Sequence, residues 1–254
     1  MVTLSLLHVE KLFLLFVRTT AIIMFIPVLG ARRVPIRVKL GLSAFVAVLM
    51  FPLVEHTSYI PGIFLFVMTI WREILIGIVL GLVVRLLFGG IQLGGQMMGF
   101  KMGFGIVNVF DIQSNQQVSI VTNFIYMLAV LIFLCINGHH VCLVVLAKSF
   151  EIVAPGQFHF SSELSHMILA LGKDMYIIAL KIGFPVTALL IIFNVAMGLV
   201  ARAVPQINVL IVGFPLQIGL GLFGLGMLIP FFSFFLRDLF SQMGEHMLAI
   251  LNTM

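Results

Sequence analysis

Gly89 to Asp111 reads GGIQLGGQMMGFKMGFGIVNVFD, and the fold turns on what this stretch is. It carries a ladder of glycines, three methionines (Met97, Met98 and Met102), several phenylalanines and one lysine, Lys101, between long apolar runs where a hydrophilic loop would be expected. A glycine inside a helix costs about 1 kcal/mol relative to alanine, and Gly95, Gly99 and Gly103 recur every four residues, the spacing of one helix face. Alone, such a segment is a poor helix, so its support must come from outside its own backbone. Two membrane readings follow. The glycines form a small-residue stripe that lets another helix approach closely, or they let a Met- and Phe-rich segment fold into a pore and fill it. Unbranched methionine suits the second reading because it adapts to irregular gaps. On these residues both readings stand.

The surroundings fix the solvent. Of 254 residues, 62% are hydrophobic and only 9% charged, with a mean hydropathy of +1.25. Soluble domains are roughly a quarter charged, so this chain is expected to be an all-α, polytopic membrane protein of kinked helical hairpins. The first apolar run continues to Gly30 with no small-residue cleavage site, which reads as retained structure and not a signal peptide. The net charge of +5 is spread among apolar runs without an aromatic-basic face, which argues against nucleic-acid binding. Cys135 and Cys142 sit in or beside apolar sequence as small hydrophobes and form no disulfide framework.

Working outward, Leu12 to Gly30 is the first expected span, interrupted by Arg18 and bent or ended near Pro27. The connector with Arg32, Arg33, Arg37 and Lys39 is expected in the cytoplasm, which places the amino terminus outside. Leu40 to Val54 returns. Pro61 to Phe88 is long enough to cross but carries Arg72 and Glu73 in its middle, as two half-helices would. Val118 to Ile136 is a clean span, and Val141 to Val153 is short enough to be interfacial or re-entrant. Pro155 to Asp174 reads as an extended polar segment in which Ser161 or Ser162 caps a short helix. Tyr176 to Val200 and Val209 to Leu236 are the last spans, interrupted at Pro185, Pro215 and Pro230. Ala31-Arg32-Arg33-Val34-Pro35 is echoed by Ala201-Arg202-Ala203-Val204-Pro205, followed by Gln206, consistent with two hairpins sharing a type of tip or with coincidence in a biased composition.

Charges within these runs are Arg18, Arg72, Glu73, Arg85, Lys101 and Lys181. A charge at the bilayer centre costs at least about 2.5 to 3.5 kcal/mol, so each should face protein or water. The plain reading is that Glu73 neutralises an arginine while Arg85 and Lys181 snorkel from span ends. A proton path is the sharper one, but relays offer several acids or histidines in series and Glu73 alone is acidic here. His139, His140, Cys135 and Cys142 match no zinc spacing, and adjacent helical histidines are expected to point apart. No nucleophile set, paired carboxylates or phosphate loop is present, so neither a cofactor nor an enzyme activity is expected.

Several short patterns then fall into one order: Arg18, Pro27 and Val34-Pro35; Glu73, Gly77 and Gly81; Gly95, Gln96, Met102-Gly103 and Asp111; Asn137-Gly138-His139, Ser149-Phe150 and Pro155-Gly156; Gly198-Leu199, Ala201-Arg202, Pro205-Gln206, Asn208-Val209 and Gly213-Phe214-Pro215-Leu216. In this order and spacing the chain resembles the FliR family of flagellar export-gate proteins, to which the counterparts in type III secretion injectisomes also belong. The resemblance implies a FliP-like part, 1–175, followed by a FliQ-like helical hairpin, 176–254. It implies one such subunit joined to FliP-like and FliQ-like subunits, with FlhB-like and FlhA-like partners beneath. The assembly would sit among lipid in the bacterial inner membrane, within the flagellar basal body, and unfolded export substrates would cross through it.

The resemblance also implies a pore plug at about 106–119. The expected gate residues are Phe104, Ile106, Val109, Phe110 and Asp111, with Met97, Met98 and Met102 supporting the seal and Gly95, Gly99 and Gly103 permitting packing or bending. Arg32, Pro35, Arg202, Pro205 and Gln206 mark the hairpin tips. The sequence departs from the family at two points. Ile112 stands where a proline usually follows the aspartate, which relaxes φ there. Gln217 stands where a lysine is expected after Phe214-Pro215-Leu216, removing an electrostatic contact. A small-solute or ion transporter is the alternative, since proline-broken helices and repeats also build transport sites.

Overall fold

A computed structural model describes residues 2–31, 33–54, 62–104, 119–206 and 208–254. Among these every regular element is helical: α1 (Val2–Ile23), α2 (Ile36–Met50) continued by a short 3-10 turn (Phe51–Leu53), α3 (Ile63–Lys101), α4 (Ile120–Cys135), α5 (Gly138–Ile152), α6 (Ser162–Ala203) and α7 (Val209–Leu251). Four of the described segments are long and apolar enough to cross a membrane, and α4 with α5, bent by 63° at their junction, add a fifth if they act as one span. The chain is an all-α polytopic membrane protein.

Contacts divide it into two units. The first comprises Met1–Leu86, Phe133–Leu171 and Leu239–Met254; the second comprises Leu87–Ile132 and Gly172–Asp238. Helices α3, α4, α6 and α7 each run from one unit into the other.

In the first unit α1 and α2 form a hairpin tied at both ends by lysines. Lys39 donates to the Gly30 carbonyl at 2.9 Å beside the turn. Lys11 donates to the Val54 carbonyl beyond α2, its ammonium 4.4 Å from the centre of the Phe51 ring. Burying the stems while each ammonium finds an oxygen acceptor lets lysine sit in apolar surroundings. Along α1, Leu14, Arg18 and Ile22 are buried at a spacing of four, and α3 meets this face through Glu73, Gly77 and Gly81. A Cβ at Gly77 would lie 3.1 Å from the Arg18 carbonyl oxygen, and one at Gly81 would lie 2.5–2.6 Å from the Phe25 side chain. Those glycines set how closely α1 and α3 approach.

The structure revises the element boundaries. The first helix ends at Ile23, and the backbone from Met24 to Gly30 turns, with Val28 at φ 72°. The second starts at Ile36, with Pro35 in extended conformation (φ −56°, ψ 142°) as its N-cap. Arg72 and Glu73 do not split Pro61 to Phe88 into half-helices: α3 is unbroken from Ile63 through the glycines to Lys101, because both side chains find partners outside the helix. The expected extended segment before Asp174 is helical from Ser162. There Ser161 caps the helix as anticipated, its Oγ accepting from the Leu164 amide at 3.0 Å. Likewise α6 and α7 continue through Pro185, Pro215 and Pro230; each proline removes a backbone donor and crowds the carbonyl four residues back, a disturbance that membrane helices tolerate.

Between α4 and α5 the break is local. Asn137 takes the left-handed conformation at φ 58°, which asparagine tolerates better than most side chains. Gly138 follows, and its missing Cβ leaves room for the Phe133 ring. His139 and His140 were expected to diverge, yet their ring centroids lie 4.5 Å apart, because the pair occupies the first turn beyond this break. No group of three or more metal-ligating side chains occurs among the described residues.

Candidate functional site

The glycine-rich stretch forms the second half of α3, held in the second unit from two sides. Gly90 and Gly94 face α6. A Cβ at Gly90 would lie 2.6 Å from the Met175 carbonyl oxygen, one at Gly94 would lie 2.9 Å from that of Ala179, and Gly183 answers with 3.0 Å to the Gly94 carbonyl oxygen. Gly95 and Gly99 face the start of α4, where added Cβ atoms would lie 2.9 Å from Thr122 Cα and 2.7 Å from Ser119 Cβ. Any larger side chain at these points must push backbone aside. Of the sequence stripe Gly95, Gly99 and Gly103, the first two thus form one of two glycine faces. The doublets Gly89-Gly90 and Gly94-Gly95 carried the signal for the second.

Gly103 plays a different part. It lies two residues beyond the end of α3 in the left-handed region, at φ 92°, where L side chains are strained. Its amide donates to the Phe100 carbonyl at 3.2 Å, one of the bonds that close a helix C-terminus around a left-handed glycine. Of the methionines, Met98 and Met102 are fully buried and Met97 partly so. Met102 lies against Gly221 of α7, where a Cβ would come within 2.6–3.1 Å of its side chain.

Gln217, expected to lack the electrostatic contact of a lysine, makes a neutral one: its Nε2 donates to the Lys101 carbonyl at the end of α3. The last carbonyls of a helix lack intrahelical partners, so this amide fills a vacancy that reading side-chain charge could not reveal. Phe104 is half-buried. Ile106, Val109, Phe110, Asp111 and Ile112 lie outside the described residues, as does Arg32 at the first hairpin tip.

The buried charges gather in the first unit. Arg18 and Glu73 both have fully buried side chains. Arg18 Nε donates to Glu73 Oε2 at 2.6 Å and Nη2 to Oε1 at 3.1 Å. The remaining donors of Arg18 reach Ser149 O at 2.7 Å, Ser149 Oγ at 3.2 Å and Val153 O at 3.1 Å, and the guanidinium lies 4.3 Å from the Phe150 ring centroid. Glu73 Oε1 also accepts from the Gly156 amide at 2.9 Å. Arg72 extends from the neighbouring position to the Gly156 carbonyl at 2.7 Å. α1, α3, α5 and the turn after α5 are thereby tied at one point.

The three remaining cations, Arg85, Lys101 and Lys181, are exposed, and two rest near aromatic rings, Arg85 at 6.0 Å from the Phe25 centroid and Lys181 at 5.6 Å from that of Phe235. At the second hairpin tip, Arg202 occupies the last turn of α6 and Pro205 and Gln206 the turn to α7, all three exposed.

Chemically the arrangement binds helices together. Two parts stand out: a buried ion pair, and a glycine-thinned helix end held between neighbours. Sequence comparison connects them to a class of protein. The chain matches the family described as Bacterial export proteins, family 1, over residues 9–243. It is 33% identical over 241 residues to flagellar biosynthetic protein FliR of Bacillus subtilis (strain 168), covering 94% of this chain and 93% of that protein. Against FliR of Pectobacterium carotovorum subsp. carotovorum it is 32% identical over 250 residues, 96% and 93% of the respective chains. Against FliR of Escherichia coli (strain K12) the figures are 29% over 225 residues, 89% and 86%. With matches of this extent, the chain belongs to the FliR family of bacterial export proteins.

Proposed function

We propose that this chain is a structural and gating subunit of the flagellar type III protein export apparatus, forming part of the pore through which unfolded substrates cross the bacterial inner membrane. Membership of the FliR family makes it a component of that apparatus. The gating role rests on one observation: a helix thinned by glycine on two faces is clamped between α4 and α6 and stopped by a left-handed glycine just before the apolar sequence Phe104 to Phe110. A rigid stem immediately preceding a Phe-, Ile- and Val-rich segment is the layout of a stopper on a fixed mount.

In this reading Phe104, Ile106, Val109 and Phe110 close the pore with Asp111 at their edge, Met97, Met98 and Met102 back the seal, and Gly95, Gly99 and Gly103 let the stem seat. The partners are FliP-like, FliQ-like, FlhB-like and FlhA-like subunits, with 1–175 as the FliP-like part and 176–254 as the FliQ-like hairpin. Many large apolar side chains on α6 and α7 are exposed, among them Phe184, Ile192, Val195, Leu199, Phe223 and Phe234. Lipid and neighbouring apolar helices are the surroundings that such a surface fits.

Deleting Ile106 to Phe110 and measuring ion leak across the membrane tests the gate. Raised leak from a correctly assembled complex is expected, and an unchanged leak would overturn the assignment. Reconstituted alone, the chain should move no solute; solute transport by the isolated protein would favour the transporter alternative.

A further inference from the structure

The end of α3 is read by one face of α7. Phe214, Gln217 and Gly221 lie at i, i+3 and i+7 on α7, a single stripe. Each receives one of three consecutive residues. A Cβ at Gly103 would lie 3.4 Å from Phe214 Cδ1, the Lys101 carbonyl accepts from the Gln217 amide, and Met102 lies in the space left by Gly221. Were α3 to continue, the Lys101 carbonyl would take its hydrogen from the amide four residues on. α3 ends at Lys101 with the left-handed turn at Gly103 just beyond, and there the exposed Lys101 carbonyl takes a hydrogen from the Gln217 amide of α7.

From this geometry we infer that Gln217 is a positioning residue for gating: by supplying that donor from α7 it fixes where α3 ends, and so the point and direction from which the chain leaves the helix. The role rests on the gate reading above for its functional consequence, but not for its structural one. What matters at position 217 is a hydrogen-bond donor of sufficient reach, not a charge. Lysine meets that requirement. Methionine, of similar length, does not, nor does glutamate, which has the same shape but only acceptors when ionised. The side chains of α7 on this stripe act as a gauge for α3, and a shift of α7 along its own axis would move the helix end with it.

The test combines a distance with a leak. Nitroxide labels at Phe104→Cys and Met127→Cys, in a chain with Cys135→Ser and Cys142→Ala, report the position of the helix end within the second unit by double electron–electron resonance on the assembled complex. The native Gln217 and Gln217→Lys should give a narrow distance distribution. Gln217→Met and Gln217→Glu should broaden it and raise the resting ion leak of unlabelled complexes by about twofold to tenfold, the population change that loss of one hydrogen bond supports. Gln217→Glu decides the matter if Gln217→Met does not assemble.

Wild-type distance widths in both Gln217→Met and Gln217→Glu would overturn the role. Broadening without leak would leave the positioning role standing and remove the gate reading. Leak from the 106–110 deletion alongside unaltered widths in the Gln217 variants would do the reverse.

Discussion

Arg18 of α1 and Glu73 of α3 meet at 2.6 Å with both side chains fully buried, and Arg18 also donates to Ser149 and Val153. A pair saturated in this way is a poor conduit for protons, because each donor already has an acceptor and no further acid stands beside Glu73 among its described partners. Its effect is to fasten helices that are distant in sequence. Breaking a buried pair by removing one partner is costly, whereas replacing both with apolar groups is often nearly neutral.

Glu73→Ala should therefore destabilise the protein by about 3–5 kcal/mol, since it strands a buried guanidinium. The double variant Arg18→Met, Glu73→Met should recover more than half of that loss. Thermal unfolding of the detergent-solubilised protein checks both. A Glu73→Ala variant as stable as the parent would show that the pair contributes nothing.

Gly94 and Gly198 should respond oppositely to alanine. At Gly94 an added Cβ meets the Ala179 carbonyl at 2.9 Å, so α3 and α6 must separate, and a loss of about 1–3 kcal/mol is expected. At Gly198 nothing lies within 4 Å, and alanine should gain up to about 1 kcal/mol from helix propensity. Equal melting temperatures for the two variants would contradict the packing described for the second unit.

Ser161 holds two ends of the first unit at once. Its Oγ accepts from the Leu164 amide at 3.0 Å, capping α6, and donates to the Thr253 carbonyl at 2.8 Å near the carboxyl terminus. Ser161→Ala should cost about 1–2 kcal/mol by losing both the cap and the tie. Ser161→Asp, which keeps the cap and loses the donor, should fall between. Hydrogen exchange at the Leu164 amide, faster in Ser161→Ala and near the parent rate in Ser161→Asp, separates the two contributions.

What the sequence made legible follows from which forces act locally. Apolar runs and the scarcity of charge gave the all-α membrane class, and the cost of a lone buried acid pointed to Glu73 as an arginine's partner, which Arg18 proved to be. Helix limits were less legible. Prolines at 185, 215 and 230 suggested interruption, but α6 and α7 run through all three. Gln217 stayed hidden for another reason. A departure in side-chain charge was visible in the sequence, whereas its actual partner is a backbone carbonyl at the end of α3, that of Lys101. The second glycine face was recoverable from the doublets at 89–90 and 94–95, yet choosing its partner required α6 to be in place.

One dimension bears on how such a chain is made. A bilayer seats about 20 residues of helix, and α3 has 39 without a break. Lipid can house only about half of it at any one tilt, so the remainder needs a protein or aqueous berth. The chain supplies much of that berth itself, but α4 and α6, which clamp the second half of α3, follow it in the sequence and are made after it. A chain truncated before α6 should thus leave the second half of α3 without its seat and survive in a cell at a lower level than the full chain.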